Sequence, residues 1–115
     1  MIEPIDFHAI ADAVPHGYMN QVLSTANDHD IHISVMDAPY FWHLHPDSDE
    51  TFITLEGILI IDFHEGPVEL RPGQMLTVPA GMPHRTRPAG ARTVNLTVER
   101  RDATTVRCNE RIVQA

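Results

Sequence analysis

Apolar positions recur at helical spacing at the start of the chain and at strand spacing through the rest of it. Phe7, Ile10 and Ala11 fall on one helix face, with Asp6 ahead of them in a capping position. This predicts a short helix over residues 6–14, ended by Pro15 and Gly17. Residues 18–23 read as a first strand and the polar run 24–30 as a turn. Ile31, Ile33 and Val35 then alternate with His32, Ser34 and Met36, which is the pattern of a strand with two unlike faces. Further short strands are expected at 41–46, 50–55, 58–63, 68–70, 74–78, 84–87 and 92–98, with an edge strand near 104–107. Breaks fall at Gly57, Glu65-Gly66, Pro72-Gly73, 79–83 and 88–90. Many short strands at this spacing describe an all-β sandwich or barrel.

Composition narrows the partners. A length of 115 residues fits one domain spanning 1–115. Sixteen acids against eight bases give a formal charge of −8. That excess argues against nucleic acid and against anionic membrane surfaces, both of which need basic patches. All eight bases are Arg, so chemistry that begins with a lysine Schiff base is excluded. The single cysteine, Cys108, forms no intrachain disulfide and no cysteine-rich zinc site, and reads as a structural thiol. No run approaches the roughly 20 apolar residues of a membrane-spanning helix. The first residues lack the basic stretch of a secretory signal, so a cytoplasmic location is expected.

Eight histidines in so short a chain direct attention to their spacing. His43 and His45 are two apart, so in a strand both rings share a face while Trp42 and Leu44 take the other. A loop over 46–49 leads to Glu50, which shares a face with Phe52 and Thr54. His84 follows the Pro-rich turn 79–83, which re-aims the chain. Three imidazoles with one carboxylate suit one divalent transition metal ion such as Fe, Mn, Ni, Co, Cu or Zn. Six-coordination would leave two positions open, as in catalytic sites. His8, His16, His29 and His32 match no ligand spacing, and His64 sits beside a turn.

The joint spacing resembles the cupin family. HLHPDSDETFITLEG supplies His43, His45, Glu50 and Gly57, and GQMLTVPAGMPH supplies Gly73, Pro79, Gly81 and His84, at the intervals of the two cupin motifs. Two positions depart from the pattern, Asp37 for the opening glycine and Pro88 for the closing asparagine. The resemblance implies a jelly-roll-like β-barrel holding one metal through His43, His45, Glu50 and His84.

Parity in the same strands makes Phe41, Phe52, Thr54 and Thr86 the expected pocket lining. Asp47 and Asp49 read chiefly as solvated loop residues. Arg85 and Arg87 are expected to point away from His84. Trp42, Leu44 and Tyr40 form an outward apolar stripe that calls for cover by the N-terminal segment or by a second copy, hence an expected homodimer. The functional expectation is a metal-dependent enzyme on a small oxygen-rich or anionic molecule, leaning toward a dioxygenase, with Glu50 doubling as a proton acceptor if it leaves the metal during turnover. The alternatives are a non-catalytic metal-dependent module that binds or senses a small ligand, and a sugar isomerase or epimerase.

Overall fold

In a computed structural model, which describes residues 2–109, the Asp6 carboxylate accepts from the amides of His8 and Ala9 at 3.0 and 3.2 Å and starts α1 (Phe7–Asp12). Capping of this kind satisfies amide groups that have no partner inside the helix. The helix is shorter than the predicted 6–14. Arg92 holds its far end, donating to the carbonyls of Ala11 (3.0 Å) and Val14 and pairing with Glu56 (3.0 Å).

Ten antiparallel strands follow among the described residues: β1 (Met19–Ala26), β2 (His29–Met36), β3 (His43–Leu44), β4 (Glu50–Glu56), β5 (Leu59–Phe63), β6 (Gly66–Leu70), β7 (Met75–Val78), β8 (Arg85–Pro88), β9 (Thr93–Arg100) and β10 (Val106–Arg107). They form a five-stranded sheet in the order β1-β2-β9-β4-β7, a three-stranded sheet β6-β5-β8 and a small pair β10-β3. The all-β architecture with one short N-terminal helix is as expected. The turn assigned to 24–30 is corrected: β1 and β2 continue to Ala26 and from His29, and only Asn27 and Asp28 turn. Asn27 takes a positive φ of 55°, which permits a two-residue hairpin. The polar residues Ser24 and Thr25 belong to an exposed edge strand, and so resemble a loop in sequence.

Apolar side chains form two separate clusters. Between the sheets lie Met36, Phe52, Leu59, Ile61, Leu70 and Val78. The second cluster is on the outside of the larger sheet, where Ile33, Val35, Val94 and Leu96 are covered by Phe7, Ile10, Ala11 and Val14 from the N-terminal segment. Ile33 and Val35 are wholly buried there, and each such side chain stabilises by about 1.5–3 kcal/mol relative to exposure. Because side chains alternate, the same strands turn Ser34, Asn95 and Thr97 into the barrel.

Gly57 shows why a motif glycine stands between β4 and β5. Its φ is +73°, and a Cβ there would lie 2.3 Å from the Arg92 carbonyl oxygen. No other residue type fits without displacement.

The outward stripe is only partly as expected. Trp42 stacks on His64 (centroids 5.9 Å) with the Arg85 guanidinium 5.7 Å away, and Leu44 pairs with Val106 of β10. Tyr40 instead lines the interior cavity, because β3 is only two residues long and strand parity does not extend back to 40 and 41. Arg85 and Arg87 do point away from the interior, and both bind Asp62. Among the described residues no helix is long and apolar enough to cross a membrane.

Candidate metal centre

Strand β3 with the residue after it, the start of β4 and the residue before β8 bring His43, His45, Glu50 and His84 together. All four are buried, and one ligand atom from each lies within 4.8 Å of the others. The main chains of His43 and His84 form a bridge between the two motifs. Gly81, with φ +82°, donates its amide to the His45 carbonyl at 2.8 Å, which ties the Pro-rich turn to the same floor.

Second contacts fix the rings. The Nδ1 atoms of His43, His45 and His84 lie 2.8, 3.0 and 2.9 Å from the carbonyl oxygens of Phe41, Thr104 and Met82. A carbonyl can only accept, so each Nδ1 carries its proton, and in the neutral ring each Nε2 presents a lone pair. The Nε2 atoms of His45 and His84 lie 3.1 and 3.2 Å from Glu50 Oε1. Three lone pairs and a carboxylate therefore converge with no proton between them when the rings are neutral. That donor set fits a divalent cation.

The protonation tendencies follow from the same arrangement. Burial, with the neighbouring imidazoles, lowers His43 to about 4, so it stays neutral near pH 7. Burial also opposes a charge on His45, but the hydrogen bond and charge of Glu50, with Glu99 beyond it, outweigh that and raise its value. Burial would raise Glu50, and the His45 and His84 hydrogen bonds overcome it and hold the carboxyl low. Glu99 is raised to about 7 by burial and by the Glu50 charge.

His43, His45 and Glu50 form the floor of a cavity of about 290 Å³, at the small end for a ligand pocket, and His84 lies buried against them. Of the expected lining residues, Phe52 and Thr86 face it. Phe41 does not: its ring stacks on Tyr40 and lies under the Arg107 guanidinium, and its carbonyl orients His43. Thr54 is fully buried away from the cavity with its hydroxyl unpartnered. Asp47 is more than a solvated loop residue. It accepts from the amide and hydroxyl of Thr104, both at 2.9 Å, and so places the carbonyl that orients His45. Asp49 accepts from the Ala80 amide at 2.8 Å and anchors the Pro-rich turn.

Sequence reasoning missed the polar wall: Asn20, Ser34, Asn95, Thr97, Glu99 and Thr105. The alternation in β9 was visible. Its polar face would ordinarily be assigned to solvent, and here it faces inward.

Residues 35–98 match the Cupin_2 family, a cupin domain. The chain belongs to the cupin family. This cupin is 46% identical over 99 residues to the uncharacterized protein YdbB of Bacillus subtilis (strain 168), covering 85% of this chain and 87% of that one. A cupin-2 domain-containing protein from Shewanella frigidimarina has a similar structure, with a TM-score of 0.78 and 27% identity over 84% of this chain and 94% of that chain. The DMSP lyase DddQ from Ruegeria pomeroyi shares the fold at a TM-score of 0.68 and 23% identity, over 78% of this chain and 51% of that chain. The two departures from the cupin motifs are accommodated locally. Asp37 keeps a φ outside the left-handed region and accepts from the Gly17 amide at 2.7 Å, and Pro88 ends β8.

Proposed function

We propose that this cupin is a metal-dependent enzyme acting on a small oxygen-rich molecule, with one divalent transition metal held by His43, His45, Glu50 and His84. The observation that supports it is the convergence of three oriented imidazoles and one carboxylate, of which His43, His45 and Glu50 line a polar cavity. When bound, the ion supplies Lewis-acid polarisation of substrate oxygens and, as iron, the redox chemistry of a dioxygenase, the class toward which the donor set leans.

The protein's own residues do the rest. Phe52 and Met36 close the apolar side of the cavity, while Asn20, Ser34, Asn95 and Thr97 offer hydroxyl and amide groups to the substrate. Glu50 would serve as proton acceptor when it is released from the ion during turnover. No guanidinium lines the cavity among the described residues, so a phosphosugar isomerase, which would need a cationic clamp, is less well supported. A cytoplasmic homodimer remains the expected form, with the edge of β1, unpaired among the described residues, available to a second copy. A light-scattering mass equal to one chain at micromolar concentration would contradict the dimer.

The deciding experiment is elemental analysis of protein purified without added metal, followed by an oxygen-electrode screen of the iron form with diketones, phenols and thiols. Near-stoichiometric metal with oxygen consumption supports the proposal. Failure to take up Fe, Mn, Ni, Co, Cu or Zn removes it. Metal and ligand binding without turnover would replace it with the binding module.

A further inference from the structure

Three buried side-chain oxygens among the described residues have no hydrogen-bond partner: Thr54 Oγ1, Thr93 Oγ1 and Glu99 Oε2. Of these residues only Glu99 lines the cavity. Its Oε2 is 3.7 Å from His45 Nε2, and its other oxygen is 3.9 Å from His32 Nε2. Both separations are beyond a hydrogen bond. His45 cannot close the gap while serving as a ligand, because its ring proton is on Nδ1, against the Thr104 carbonyl. A buried carboxylate oxygen left without a donor is costly, so a ligand donor that meets the Glu99 carboxylate where this residue lines the cavity would be favoured.

The rest of the wall indicates what kind of donor. Ser34, Asn95, Thr97 and Asn20 are uncharged, and Arg107 is committed to the face of Phe41 at 4.2 Å. In their ionised forms the carboxylates of Glu50 and Glu99 together would offset the charge of a divalent ion. A cavity so balanced gives an added anion no compensation beyond the metal itself.

Resting on the metal-site reading above, we propose that Glu99 is the specificity determinant of this cavity. It receives a hydroxyl or ammonium group from a ligand that is neutral or cationic outside its metal-binding oxygens. Negatively charged relatives of that ligand are disfavoured. Glu99 lies one residue beyond the segment that matches the family.

The test uses zinc-loaded protein and three catechols that share a chelating diol and differ in charge: dopamine, 4-methylcatechol and 3,4-dihydroxybenzoate. Anaerobic calorimetry gives a Kd for each with the wild type and with Glu99→Gln, and zinc content is measured alongside. The wild type should bind dopamine about tenfold or more tighter than 3,4-dihydroxybenzoate, as expected for one charge-assisted hydrogen bond. Glu99→Gln should retain zinc and lose most of that ratio. Should Glu99→Gln hold less zinc, Glu99→Asp becomes decisive, since the retained charge must preserve the preference. A preference for the acid, an unchanged ratio in Glu99→Gln, or no catechol binding to zinc-loaded protein overturns the inference while leaving the metal site standing. Failure to load zinc or any other divalent ion instead removes the metal reading, and this inference with it.

Discussion

His43 and His84 exchange both of their main-chain hydrogen bonds, at 3.0 and 2.9 Å, while their rings stand 4.4 Å apart. The bridge between the two motifs is thus made by backbone, and the side chains are left for ligation. Replacing the imidazole should therefore separate metal loss from fold loss. His84→Ala is expected to reduce metal affinity by more than the roughly 10–100-fold seen when only a ligand's hydrogen-bond partner is removed. Metal competition titration reads this directly, and far-ultraviolet circular dichroism should still report the sheet. Full metal occupancy after dialysis would exclude His84 as a ligand.

Asp47 reaches the centre through Thr104. Asp47→Ala releases two hydrogen bonds that hold the Thr104 carbonyl against His45 Nδ1. Metal affinity should fall by about tenfold. Asp47→Asn, which keeps an acceptor for the Thr104 amide, should recover part of it. Equal affinities in all three proteins would show that Thr104 keeps its place unaided.

Acid should reveal the pair of arginines on Asp62. Burial raises the Asp62 carboxyl, but hydrogen bonds from Arg87 and Arg85 outweigh this and hold it below its ordinary value of 3.8. A depressed carboxylate contributes stability that is complete above its unfolded value and disappears as pH falls through the folded one. The wild type should melt higher than Asp62→Asn from pH 7 down to about pH 4, and the two should converge below that. Both guanidinium side chains are about one-third exposed, so solvent screening keeps the difference modest. A gap that does not change with pH would assign the effect to packing.

Gly57 tolerates no side chain. Gly57→Ala incurs about 1–2 kcal/mol for the left-handed backbone, and its Cβ would press on the Arg92 carbonyl. Since Arg92 also holds the end of α1, hydrogen exchange over residues 7–14 should quicken along with a melting temperature lowered by about 5–10 °C. An unchanged melting curve would mean that the turn can rearrange at no cost.

The metal donors were legible because each motif has a fixed local spacing: His43, His45 and Glu50 fall within eight residues, and His84 follows the Pro-rich turn of the second motif, although only the fold joins the two. Strand identity was legible for the same reason, since Gly and Pro punctuate nearly every break. Tyr40 and Phe41 were assigned to the wrong sides because two residues of β3 cannot carry parity across the preceding loop. Thr104 and Thr105 meet His45 across nearly 60 positions, a contact no local pattern encodes. Glu99 was hidden by a reversal of faces in β9, where the apolar side looks outward and depends on α1 for cover.

That reversal divides labour within single strands. In β2 and β9 one set of residues packs beneath the helix and the alternate set lines the cavity. Selection can therefore change Ser34, Asn95 or Thr97 one at a time, altering what the barrel recognises while the helix-covered layer keeps its packing. A small scaffold arranged in this manner can acquire a new ligand without first acquiring extra stability.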